Sequence, residues 1–157
     1  MKRLLTGMIL MALFSQAVRA QIDLHCHMIP DSYLEAVKAH GMEMDELFPI
    51  PEWNATAHLK FMDEAGIQTS VLTMSAPQPF FGDVAESAAI CRKFNEEAAA
   101  LKALHPGRFL FCAALPLPDV EAAIAEARYA LEGRLDAHGL KPEDVLSNNA
   151  KSLFNIQ

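Results

Sequence analysis

The sequence predicts an α/β fold with parallel strands, and three observations carry that expectation. β-rich runs at 22–27, 67–74 and 109–115 alternate with segments of helical period. Each run ends in a breaker and precedes a helix, the order that right-handed crossovers require. The third run is almost wholly apolar, as suits a strand covered on both faces of a parallel sheet.

Each element has its own signal. Ile29, Pro30 and Asp31 break the first strand, and a short helix follows over 32–39 with Asp31 as its cap. Residues 41–53 hold two prolines and no period, which reads as a loop. Asn54 or Thr56 caps a second helix running to Ala65, with Leu59, Phe61, Met62 and Ala65 as its buried face and Gly66 as its left-handed stop. Ala76-Pro77-Gln78-Pro79 stops the second strand. Asp83 opens the longest helix, about 84–104, in which Ile90, Phe94, Ala98 and Leu101 recur at helical spacing. His105-Pro106-Gly107 ends it. After the third strand, residues 116–118 turn the chain, Asp119 caps, and a last helix runs from Val120 to roughly His138.

Lys2 and Arg3 precede an apolar run over 4–14 that ends near Val18-Arg19-Ala20, the pattern of a secretory signal peptide cut after Ala20. The run falls short of the about 20 residues a membrane span needs, and an uncleaved anchor is the alternative. Export to the periplasm is expected, with no membrane association after cleavage. Twenty acidic side chains stand against thirteen basic ones, and no cluster of Lys and Arg appears. Nucleic acid is therefore not an expected partner. Cys26, Cys91 and Cys112 are an odd number for an exported chain, and without a C-x-x-C spacing they read as buried apolar residues.

The stretch Ile22-Asp23-Leu24-His25-Cys26-His27 carries the chemistry. Alternate residues of a strand share a face, so His25 and His27 point the same way and can converge on one divalent metal. Two imidazoles are half a site, because catalytic zinc takes about three protein ligands and keeps a position for water. Two such histidines can also simply pack or hydrogen-bond. Asp23 shares their face and is expected to orient the ligands or the strand backbone, whereas Cys26 alternates towards the helices and is not counted as a ligand.

Three pieces of the chain, in this order, resemble the amidohydrolase-related metal-dependent barrels, in the branch that includes aminocarboxymuconate semialdehyde decarboxylase and related aromatic-acid decarboxylases. They are Asp23-x-His25-x-His27, then His58-Leu59-x-x-Met62-Asp63-x-x-Gly66-Ile67, then His105-Pro106-Gly107-Arg108-Phe109 through Ala114-Leu115-Pro116-Leu117-Pro118. The stretch from Leu135-Asp136-Ala137-His138 to Leu153-Phe154 is similar to the closing helices of those barrels. The resemblance implies a partial (β/α)8 TIM-type barrel of about three strands, with 1–20 as leader, 21–134 as the N-terminal part and 135–157 as the closing helices. A whole barrel takes about 250 residues, and at least about 200. The fourth to eighth strands are therefore expected to be missing, with the join between Tyr129 and Leu135.

The same resemblance implies a metal-dependent hydrolase or non-oxidative decarboxylase acting on a small carboxylated substrate, aromatic ones included, with zinc as the divalent ion. In that family a His of the fifth strand and an Asp of the eighth complete the ligand set, and a His of the sixth serves as acid or base. Only His25 and His27 have counterparts here, so an incomplete site is expected, and a non-catalytic remnant or a self-assembling fragment that pairs its open sheet edges are the alternatives. His40, His58, His105 and His138 read as caps or surface residues. Trp53, Phe80 and Phe81 fall in loops after the first and second strands, the side of a barrel where substrates bind. They are candidate pocket walls, with packing as the competing role.

Overall fold

The computed structural model describes residues 21–135 apart from Glu43 and Glu46. The proposed leader, the closing segment after Leu135 and His138 lie outside the described residues. In chain order the elements are β1 (Gln21–Met28), α1 (Asp31–Ala39), β2 (Met44–Asp45), β3 (Phe48–Pro49), α2 (Ala55–Ala65), β4 (Ile67–Met74), α3 (Val84–Leu104), β5 (Phe109–Phe111) and α4 (Val120–Leu135). β1, β4 and β5 form one parallel sheet with β4 in the middle, so the expected α/β order is present.

Local chemistry sets most of the boundaries. Asn54 caps α2 by accepting from the Ala57 N–H at 2.8 Å, Asp83 caps α3 through Glu86 at 2.9 Å, and Asp119 accepts from Ala122 at 2.7 Å. Gly66 stops α2 at φ 71°, a left-handed turn that costs glycine nothing. At α1 the sequence expectation is off by one. Pro30 is the cap residue and its carbonyl takes the Tyr33 and Leu34 N–H groups, while Asp31 sits in the first turn, where its charge suits the helix dipole.

Two further differences have physical reasons. Residues 41–53 contain a short antiparallel hairpin, β2 with β3, because strands of two residues leave no period to read. β5 spans three residues where seven were expected. Its last ladder pair is Leu72 with Phe111, and Ala114 is instead held by the Asn95 side chain, which accepts from its N–H at 2.7 Å and donates to its carbonyl at 3.0 Å. β5 has one strand neighbour among the described residues, and Leu110 is 43 % exposed rather than covered on both faces.

The core lies between the sheet and the helices on one side. Met28, Met62, Leu72, Phe94, Ala98 and Phe109 form its main cluster, and Ile29, Tyr33, Leu34 and Val37 form a second one under α1. The period-3.6 positions of α3 enter this core as read. On α2 only Met62 is buried, while Phe61 is 56 % exposed and Ala65 is exposed. The buried Tyr33 ties α1 to the loop after β4, its hydroxyl lying 2.7 Å from the Pro77 carbonyl and 3.1 Å from that of Ser75. Cys26 is half-buried and Cys91 buried, but Cys112 is exposed, because it follows directly on the edge strand β5.

Candidate metal centre

β1 presents two different faces near its end. Cys26 and Met28 turn into the helix-side core, and the Cys26 thiol lies 3.3 Å from the Val71 carbonyl. Burial pushes that thiol up to about 11, and it faces the core rather than the face of the two histidines. His25 and His27 are exposed, with ring centroids 4.9 Å apart and planes at 81°. The ladder between β1 and β4 shifts register between Asp23 and Cys26, a bulge of the kind that re-aims side chains.

Hydrogen bonds orient both ends of the pair. Asp23 Oδ1 accepts from the backbone N–H of His25 at 3.0 Å. The Thr73 hydroxyl donates to the Cys26 carbonyl at 3.2 Å and lies 3.2 Å from His27 Nδ1. A hydroxyl has one proton, so with that proton given to Cys26 it accepts from Nδ1–H, and Nε2 of His27 keeps a bare lone pair. This is the tautomer a metal ligand needs.

The pair fits two ligands of a divalent ion. Among the described residues no group of three or more His, Cys, Asp or Glu side chains gathers closely enough to hold one. The donor set is short of the about three protein ligands that catalytic zinc takes.

Beside His27 lies an open cavity of about 260 Å³ whose lining includes Asp23, Glu52, Trp53, His58 and Phe61. Trp53 thus joins His27, but Phe80 and Phe81 do not line this cavity. Phe81 stacks on His40 at 4.1 Å and packs against the cluster under α1, while Phe80 is 37 % exposed in the loop. His40 ends α1 and pairs with Glu86 at 2.8 Å, and His105 ends α3 edge-on to Phe109.

His58 is the residue that sequence reasoning left on a helix surface and the structure brings to the cavity. Its Nδ1 accepts from Trp53 Nε1–H at 3.1 Å, and burial holds its pKa below the ordinary histidine value, against the opposing pull of Asp23. The signal was present in the spacing. With Asn54 as cap, Trp53 and His58 occupy the two positions that pack together across a helix start.

A β1 strand ending in paired imidazoles, a parallel sheet and a match to the amidohydrolase family model over residues 22–154 settle the family. The chain belongs to the amidohydrolase family. It is 38 % identical over 125 residues to decarboxylase yanB of Aspergillus niger, covering 76 % of this chain and 33 % of that relative. A solved structure described as amidohydrolase II superposes with a TM-score of 0.69 at 34 % identity, over 72 % of this chain and 37 % of the other. A dihydroxybenzoic acid decarboxylase from Polaromonas, solved with manganese and the inhibitor 2-nitroresorcinol, gives 0.57 at 27 %, over 72 % and 35 %. The fold is part of an amidohydrolase barrel, and the chain spans about a third of the length of the curated relatives it matches.

Proposed function

We propose that this amidohydrolase chain carries the first-strand metal ligands of a non-oxidative decarboxylase of small carboxylated aromatics, and that by itself it holds a divalent ion without turnover. The carrying observation is the His25–His27 pair, 4.9 Å apart and with His27 Nε2 free, in a chain similar to decarboxylases. A divalent ion in such a site polarises a carboxylate or carbonyl oxygen. The chain's own contribution is orientation: Asp23 fixes the His25 backbone, Thr73 fixes the His27 tautomer, and Trp53 walls the adjoining cavity. Decarboxylation is favoured over hydrolysis because the relatives are named for it. Among the described residues no third ligand joins the pair, and this argues against turnover by this chain alone.

The test is metal analysis of the purified chain after loading with zinc or manganese, together with carbon dioxide release from 2,6-dihydroxybenzoate. Imidazoles suit zinc, whereas the Polaromonas relative holds manganese, so we expect zinc to compete the better for this pair. Metal is expected to bind and to be lost in His25→Ala and His27→Ala, with no carbon dioxide released. A chain that takes up neither ion, or one that turns over, overturns the reading.

Export is part of the proposal, supported by the leader pattern of residues 2–20, and the N-terminal sequence of protein recovered from the periplasm tests it. A second reading, self-assembly, is favoured by the outer strands. β1 and β5 each have one neighbour among the described residues, and Leu24 on β1 is 74 % exposed. Mass measurement in solution decides it, since a monomer excludes edge pairing.

A further inference from the structure

The contact between Trp53 and His58 is a rigid one. Asn54 pins the start of α2 between them, so the two rings sit one helical turn apart with little freedom in the backbone that joins them. The indole N–H can only donate. Its donation to His58 Nδ1 at 3.1 Å leaves the His58 proton on Nε2. His58 is in turn fixed from its far side, edge-on to Phe109 at 5.3 Å with planes at 80°, and Phe109 is fully buried in the core. Trp53 packs directly against both core clusters, and the contact through His58 to Phe109 is a second tie between the core and the one tryptophan of the protein.

We propose that His58 is a positioning residue: it holds the Trp53 indole as a wall of the cavity beside His27, against which a planar carboxylated aromatic ring lies. The proposal rests on the decarboxylase reading for its ligand class and goes beyond it in assigning His58 a role. Three observations support it. His27, Trp53 and His58 line one cavity of about 260 Å³, the scale of a single-ring ligand rather than of the 300–1,000 Å³ pockets that take larger molecules. With its N–H satisfied by His58, the indole can face a ligand ring without leaving a polar group unpaired. The cavity lining also carries Asp23 and Glu52, which repel a carboxylate. Asp23 also flanks the His25–His27 pair, so the carboxylate end would be drawn to that pair only by the charge of an ion held there, and the ring is left to Trp53. A helix staple with no ligand role is the competing account, and it makes a different prediction.

Because Trp53 is the single tryptophan, its emission reports on this wall alone when excited beyond the tyrosine band. We would titrate the full chain with 2-nitroresorcinol, following quenching against free tryptophan amide as the control for absorbed light, and measure near-ultraviolet circular dichroism without ligand. The wild type is expected to show saturable quenching. His58→Phe, which keeps bulk and loses the acceptor, should shift the emission and weaken binding about tenfold, the loss expected when a wall must be ordered on binding. His58→Asn, whose carboxamide oxygen can take the place of Nδ1, should restore both to within about twofold. If His58→Phe fails to fold by far-ultraviolet dichroism, His58→Gln serves as the loss variant, since its oxygen reaches past the Nδ1 position.

Unchanged emission in the loss variant overturns the proposal, and so does a shifted emission with unaltered ligand binding, the outcome for a mere staple. Metal uptake separates the two readings. Quenching that depends on His58 in a chain that binds no metal sinks the decarboxylase reading and leaves the wall standing. Metal uptake with no saturable quenching does the reverse.

Discussion

The Asp23 carboxylate accepts a hydrogen bond from the backbone N–H of His25 at 3.0 Å, two residues along the same strand and at the register shift between β1 and β4. A carboxylate in that place fixes the backbone that carries a ligand rather than the ligand's ring. Side chains that orient metal ligands cost about 10- to 100-fold in metal affinity when removed.

Asp23→Ala should therefore weaken metal binding by about tenfold, the lower end of that range, because the bond is exposed and water can replace it. Asp23→Asn keeps an acceptor oxygen and should lose less. Calorimetric titration of the two variants with zinc checks the order, and equal losses would assign the effect to the charge of Asp23 rather than to its hydrogen bond.

Stability should depend on a polar cluster that joins α3, α4 and the segment after β5. Glu126 is 3 % exposed, takes Arg92 at 2.8 Å and Asn95 at 2.8 Å, and Asn95 in turn clamps Ala114. Removing one partner of a buried ion pair costs about 3–5 kcal/mol, but Arg92 is 38 % exposed and can turn to water, so Glu126→Ala should cost nearer about 2 kcal/mol. Asn95→Ala leaves both polar groups of Ala114 unpaired and should cost about 1–3 kcal/mol. Urea midpoints measured at unchanged slope test both values.

The legible parts of this molecule were those set by local chemistry. Asn54, Asp83 and Asp119 cap by hydrogen bonds that span three residues, and Gly66 turns at a positive φ that side chains disfavour, so helix starts and stops could be read directly. The pairing of His25 with His27 follows from the two-residue repeat of a strand. What escaped was decided by distant partners. Leu110 has an apolar sequence setting but no second neighbouring strand among the described residues, and Phe81 found His40, which lies 41 positions earlier in the chain. His58 lay between the two cases, since its contact with Trp53 is local but its place beside His27 is set by packing α2 against β4 and by its contact with Phe109.

Thiol chemistry should separate the three cysteines. Burial pushes Cys26 up to about 11 and Cys91 up to about 12, each with a carboxylate, Asp23 or Glu126, adding to the shift, while Cys112 is exposed. Iodoacetamide at pH 8 should label Cys112 alone, and all three after unfolding, as read by peptide mass. The unfolded thiols ionise near 9 and the folded ones later, so the folded chain binds more protons above pH 9. Stability should be fully present below that pH and be lost as the pH rises through about 11 and then about 12.

Acid should act through His58. Its folded pKa lies below its ordinary value near 6.5, chiefly through burial, so as the pH falls under 6.5 the unfolded chain takes up a proton that the folded one resists. The stabilisation is present above 6.5 and is lost as the pH falls through the lower folded value. Once Nδ1 is protonated it can no longer accept from Trp53, so the indole must release its bond at the same step. Trp53 emission in the wild type should shift along a single titration below pH 6.5, and the shift should vanish in His58→Asn, which has no proton to gain there. A persistent shift in that variant would place the titrating group elsewhere on the cavity, with Asp23 and Glu52 the nearest carboxylates on its lining.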